Sequence, residues 1–197
     1  MLNESKQIKI GLTGGIGSGK TFVGEIFSKF NIPVFNADTE AKICMVEDHS
    51  LKQSIKNVFG DEIYKDGILE NKILAQIVFN DKKKLEELNQ LVHPVVKRRF
   101  KDWCATIKAK IVIKEAAILF ESDSYLELDK VICILAPEEI RIDRVIKRDK
   151  TSIEQVLVRV ERQISQDEKQ KLSDFVIIND EVELLLPQII ELISKIS

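Results

Sequence analysis

Residues 14–21 read Gly-Gly-Ile-Gly-Ser-Gly-Lys-Thr, directly after the apolar run at 8–12. This is a G-x-x-x-x-G-K-[ST] phosphate loop in its required setting, after a strand and before an amphipathic helix. The turn gathers backbone N–H groups around one point, and the helix that starts near Lys20 adds the positive end of its dipole. Such a nest holds a di- or triphosphate. Gly14, Gly15, Gly17 and Gly19 let the chain turn tightly and approach phosphate oxygens. Lys20 is expected to reach the β and γ phosphates, and the Thr21 hydroxyl to ligate Mg²⁺. A glycine turn without a ligand is the plainer reading, and the complete motif argues against it.

A chain of 197 residues is expected to form one domain with inserted subdomains. A formal net charge of −2 gives bulk electrostatics no hold on nucleic acid or an anionic membrane surface. No apolar run approaches the roughly 20 residues that span a bilayer. The N-terminal residues Met-Leu-Asn-Glu-Ser-Lys-Gln are polar and lack a signal-peptide core. Cys44, Cys104 and Cys133 are widely spaced and make no metal-type pair. These features lead to an expectation of buried free thiols and a cytoplasmic location. Nothing in them specifies an oligomeric state, and a monomer is compatible.

Strand and helix patterns alternate along the chain. Strands are expected at 8–12, 32–35, 110–114, 130–135 and 175–178. Helical spacing recurs at 21–30, 39–45, 51–59, 70–79, 82–107, 138–147, 153–165 and 184–196. Residues 60–67 read as a turn-rich break, Pro94 as a kink or boundary, and Thr151 with Glu154 as a capping box. Five short apolar strands separated by helices imply an α/β fold, an open five-stranded parallel sheet flanked by helices. Ligands of such sheets bind at the carboxyl ends of the strands. The long helical stretch between the second and third strands is the candidate substrate-binding insert.

Asp38 lies just past the second strand. A carboxylate there either addresses an acceptor hydroxyl or caps the following helix. Glu115 and Glu121 bracket the segment after the third strand, where one of them is expected to work at the site and either can serve a surface turn. Arg141, Arg144, Arg148, Arg159 and Arg162 concentrate in 138–165. A lid that neutralises phosphate charge explains them, and solvated ion pairs with Glu138, Asp143 or Glu154 are the alternative. His93 precedes Pro94 in an apolar helical stretch, the usual setting of a packing residue.

Further pieces recur in order. They are the string from Gly11 to Thr21, Ala37-Asp38, Phe59-Gly60, Asp66-Gly67-Ile68-Leu69, Val78-Phe79, Leu88-Asn89 and His93-Pro94. Then come Leu119-Phe120-Glu121, Arg144 with Arg148, Arg159 with Gln163, and Asp174-Phe175-Val176-Ile177 with Asn179. Over nearly the whole chain these resemble the dephospho-CoA kinase family of P-loop kinases. The resemblance implies a P-loop kinase fold with a helical CoA-binding insert at roughly 37–109 and a helical lid at roughly 138–165. It implies transfer of the ATP γ-phosphate to the ribose 3′-hydroxyl of dephospho-CoA, with Mg²⁺, as the last step of coenzyme A biosynthesis. The small-molecule partner is dephospho-CoA. By the same resemblance Asp38, Lys20 and Arg144 are the catalytic residues. ATP is held by Gly15, Ile16, Gly17, Ser18, Gly19, Lys20, Thr21, Phe22, Arg144, Arg148 and Asn179. Asp38, His93, Glu121 and Arg159 face the substrate, and Thr21 is the metal ligand. The chain departs from the family pattern at Asn36, where an Asp is common, and at Ala117-Ile118-Leu119 in place of Pro-Leu-Leu. Phe22 replaces a small hydroxyl residue.

Another small-molecule or nucleotide P-loop kinase is the nearest alternative. A GTP-dependent switch is disfavoured, because Asn71-Lys72-Ile73-Leu74 lacks the base-reading Asp and no D-x-x-G occurs.

Overall fold

The computed structural model describes residues 6–196, so the first five residues of the polar N-terminal segment lie outside the described part. In chain order the elements begin with β1 (Ile8–Gly14), α1 (Lys20–Lys29), β2 (Val34–Asn36), α2 (Ala37–Glu47) and α3 (His49–Phe59). The hairpin strands β3 (Tyr64–Lys65) and β4 (Ile68–Leu69) precede α4 (Asn71–Asn80) and α5 (Lys82–Thr106). The remainder is β5 (Ile111–Glu115), β6 (Lys130–Leu135), α6 (Glu138–Asp149), α7 (Ile153–Val160), α8 (Gln166–Lys171), β7 (Phe175–Ile178) and α9 (Leu185–Ile196). The chain divides into two compact units, one spanning 37–106 and the other formed by the flanking segments.

The flanking segments build a parallel sheet in the order β2-β5-β1-β6-β7. A parallel sheet covered on both faces needs continuous apolar strands rather than alternation. Val112 and Ile113, and Ile132, Cys133 and Ile134, are accordingly all buried. Val23 and Phe27 of α1, and Ile189 and Leu192 of α9, complete the core around Ile10 and Leu12. Strand β7 lies at the sheet edge, where backbone groups are left to pair with foreign strands. Here Gln188 of α9 blocks that edge: its Oε1 accepts from the Ile178 N–H at 2.8 Å and its Nε2 donates to the Ile178 carbonyl at 3.0 Å.

The unit 37–106 is helical, with α5 touching α2, α3 and α4. Leu88, Val92, Val96, Phe100 and Cys104 recur every fourth residue of α5 and are all buried. This stripe explains why Pro94 makes no boundary. A proline there removes one intrahelical hydrogen bond, but the helix is continuous across it, with spine residues packed on either side. The break expected at 60–67 contains the β3–β4 hairpin. Asp66 and Gly67 both have positive φ, 50° and 82°, as a two-residue hairpin turn requires.

Two further expectations are corrected near the C-terminal half. The cap of α7 is Ser152, whose Oγ accepts from the Gln155 N–H, and Thr151 bonds the Gln155 side chain instead. The helix expected over 153–165 ends at Val160, and α8 begins after Ser165, which caps it through the Glu168 N–H at 3.1 Å. Among the described residues no helix is long and apolar enough to cross a membrane.

Candidate active site

The carboxyl ends of the parallel strands carry the candidate site. Gly14 ends β1, Asn36 ends β2 and Glu115 ends β5, while Asn179 follows β7. The loop from Gly14 enters α1 through Gly19, which is left-handed and offers no side-chain cap. No side chain at Gly19 competes for the first-turn N–H groups of α1, the donors from which a helix N-terminus builds an anion site. Gly19 has φ 92°, and a Cβ there would run into the Asn179 amide; at Gly17, with φ 79°, it would run into the Arg141 carbonyl. These two close approaches, more than flexibility, require glycine.

Lys20 is buried, and its Nζ donates to the carbonyls of Gly14 at 3.0 Å and Gly15 at 3.1 Å. The ammonium thus sits inside the loop's own curve. The Ser18 hydroxyl is buried in the same loop with no hydrogen-bond partner. A buried orphan hydroxyl is uncommon and marks a place where a ligand or water completes the set.

Thr21 Oγ1 donates to Glu115 Oε1 at 2.7 Å, and Asn36 Nδ2 donates to Glu115 Oε2 at 2.8 Å. Glu115 is 4% exposed, and its carboxylate is held by these donors at the carboxyl end of β5. The sequence offers Glu115 and Glu121 as alternatives, and the resemblance assigns a site role to Glu121 alone. The structure gives Glu121 other neighbours. Its Oε1 accepts from Lys169 Nζ at 2.9 Å and from the Ile164 N–H at 3.1 Å. Lys169 is fully buried and also donates to the Ala117 carbonyl at 2.6 Å.

Arg144 joins the loop directly. Its guanidinium donates to the Gly17 carbonyl at 3.4 Å, to the Asn179 backbone carbonyl at 3.3 Å and to Glu181 at 3.1 Å. Asn179 in turn donates to the Ser18 carbonyl at 2.8 Å. Arg144, Asn179 and the loop therefore form one network. Arg148 and Arg159 form another, with both guanidinium groups on Asp149. The Arg148 hydrogen bond, outweighing partial burial, holds the Asp149 carboxyl below its usual range, with Arg159 adding to it.

Two residues at the loop, Arg141 among the expected lid arginines and Gln163 among the recurring pieces, carry no individual site role in the sequence reading. Arg141 is buried against the loop and donates to the Ala136 carbonyl at 3.2 Å; burial pulls its pKa down, with Glu138 opposing. Gln163 accepts from the Ile16 N–H at 2.9 Å. Its pairing with Arg159 in the sequence was the signal available for it. Phe22 is 56% exposed on α1. Asp38 and His93 belong to the helical unit. Asp38 is exposed in the first turn of α2, and His93 is half-buried on α5. Among the described residues no cluster of three or more His, Cys, Asp or Glu side chains could hold a metal ion.

The sequence profile of the family described as dephospho-CoA kinase matches residues 8–183. The dephospho-CoA kinase of Bacteroides fragilis (strain YCH46) is 37% identical over 188 residues, covering 95% of this chain and 92% of the relative. Among solved structures, a Thermus thermophilus protein superposes with a TM-score of 0.86 at 30% identity, covering 97% of this chain and 98% of that one. The dephospho-CoA kinase from Campylobacter jejuni superposes with a TM-score of 0.70 at 28% identity, covering 98% of both chains.

Proposed function

The chain belongs to the dephospho-CoA kinase family, and on that premise we propose that Lys20, Arg144 and Asp38 carry γ-phosphoryl transfer from ATP to the ribose 3′-hydroxyl of dephospho-CoA. The family makes the chain a kinase of coenzyme A biosynthesis, with ATP as co-substrate. The observation that carries the site assignment is the joined network of loop, Lys20, Thr21–Glu115 and Arg144–Asn179 at the carboxyl ends of the strands.

Phosphoryl transfer passes through a loose transition state, so positioning and charge neutralisation matter more than a strong base. The loop amides and Lys20 hold the β and γ phosphates, once Lys20 exchanges its loop carbonyls for phosphate oxygens. Arg144 adds a second cation beside the loop. Asp38 orients the acceptor hydroxyl and takes its proton. We assign CoA binding, with His93, to the helical unit 37–106, and charge closure, with Arg148 and Arg159, to 138–165. Thr21 and Glu115 offer hard oxygen donors, which suit a Mg²⁺ that keeps several of its waters. When bound, Mg²⁺ neutralises the β- and γ-phosphate oxygens. The free cysteines Cys44, Cys104 and Cys133 are all buried, which is in keeping with a reducing cytoplasm as the place of the reaction.

The test is ADP release from Mg·ATP by purified protein, with and without dephospho-CoA and beside a panel of nucleosides and nucleoside monophosphates. Stimulation by dephospho-CoA alone, with CoA formed, is the expected result. Stimulation by a panel member instead would make the chain a kinase of another acceptor.

A further inference from the structure

We infer that Gln163 is a positioning residue for ATP, holding the phosphate loop in its binding shape through the Ile16 amide. The inference rests on reading the loop as the ATP site.

The loop segment Gly15–Gly17 is gripped from two sides by the chain that bounds 138–165. From α6, the Arg141 guanidinium lies 2.5 Å from where a Gly15 Cβ would stand, and the Arg141 backbone carbonyl lies against Gly17. From the return after α7, Gln163 Oε1 accepts the Ile16 N–H at 2.9 Å. Between these grips lies a cleft of about 440 Å³ lined by Gly15, Arg141 and Gln163 among others. The loop is thus attached to both roots of the expected lid.

The return segment is itself anchored, so Gln163 has a fixed base. The next N–H, of Ile164, donates to Glu121, and Glu121 is paired with the fully buried Lys169. Two residues after Ile164, the Gln166 side chain accepts from the Ala136 N–H at 3.2 Å and donates to the Ala136 carbonyl at 3.0 Å. From this stitched segment the Gln163 side chain reaches the phosphate loop.

A glycine-rich loop loses conformational freedom when it closes on a phosphate. A loop already held at Ile16 loses less of it on binding, which appears as tighter ATP binding. The hold acts equally before and during transfer. Its loss therefore raises KM for ATP and leaves kcat in place. Gln163 touches neither ATP nor the acceptor in this account; it works through the backbone of Ile16.

The experiment compares wild type, Gln163→Met and Gln163→Glu. Met keeps the length and removes the acceptor, while Glu keeps an acceptor oxygen. Exchange of the Ile16 amide is followed by NMR in the ligand-free enzyme, alongside KM for ATP, kcat and thermal stability. In Gln163→Met, exchange at Ile16 and KM for ATP are each expected to rise about three- to tenfold, with kcat unmoved and the melting temperature lowered by no more than about 4 °C. Gln163→Glu should keep Ile16 protected. If Met fails to fold, Gln163→Asn, one methylene short, takes its place. Unchanged Ile16 exchange would overturn the inference, as would faster exchange with an unchanged KM for ATP. Lack of ATP turnover in the wild type would sink the site reading and this inference together. Use of a different acceptor by the wild type would leave both measurements decisive.

Discussion

Thr21 Oγ1 and Glu115 Oε1 lie 2.7 Å apart, so the last hydroxyl of the phosphate loop is tied to the carboxylate at the end of the neighbouring strand β5. The tie fixes the rotamer of the residue expected to meet Mg²⁺. Glu115→Ala should lower turnover roughly 10–100-fold and raise the Mg²⁺ concentration needed for half-maximal rate, as loss of a residue that orients a metal ligand does. Steady-state rates across a Mg²⁺ series check this. Turnover within a factor of two of wild type, with an unshifted series, would make the contact purely structural.

Lys20 is held by two loop carbonyls, and its removal should leave the fold intact while most activity is lost. Asp38 is exposed in the first turn of α2. Asp38→Asn should cut kcat far more than it weakens ATP binding. A parallel loss in both would point to structural or metal work instead. Kinetics with both substrates varied, beside circular dichroism of each variant, separates these cases.

Lys169 is fully buried and neutralised by Glu121 at 2.9 Å, whose side chain is 17% exposed. Removing one partner of such a pair leaves a charge without compensation. Lys169→Met should cost about 3–5 kcal/mol, measured by urea unfolding. Adding Glu121→Gln should recover part of the loss, since the amide oxygen still accepts the Ile164 N–H. A cost under about 1 kcal/mol for the single variant would show that solvent already screens the pair.

Tyr64 donates to the Met45 carbonyl at 2.6 Å, and burial pushes its pKa up to about 12 from 10.0. A raised pKa means that the protonated form is favoured by folding. The stabilisation is complete below about pH 10 and is lost as pH rises through about 12. Of the two tyrosines in the chain, one should give a tyrosinate absorbance change only near pH 12. Stability should fall across that window in wild type and less steeply in Tyr64→Phe. Equal slopes would remove Tyr64 as the cause.

The expected strands at 130–135 and 175–178 coincide with β6 and β7, because each is a short uninterrupted apolar run, buried through most of β6 and at Ile177 in the edge strand β7. The expected strand at 32–35 is displaced from β2, which starts at Val34. Its position depends on pairing with β5, and Ile32 and Pro33 carry no local mark of that. The helix expected to reach 165 stops at Val160 for a similar reason. The segment beyond it bonds to the loop, to Glu121 and to Ala136, partners that helical periodicity does not reveal.

The phosphate loop itself was determined by the sequence, because its chemistry is local: glycines, Lys20 and Thr21 adjoin one another, and a strand and a helix flank them. Glu115 and Gln163 were decided only in three dimensions. Glu115 meets Thr21 across 94 residues, because β5 pairs with β1 so that Leu12 stands opposite Glu115. Gln163 meets Ile16 across 147 residues, because the chain after α7 folds back onto the loop. The Glu115 contact follows from strand order and register and the Gln163 contact from the path of the chain after α7, neither of which the apolar pattern of a single element encodes by itself.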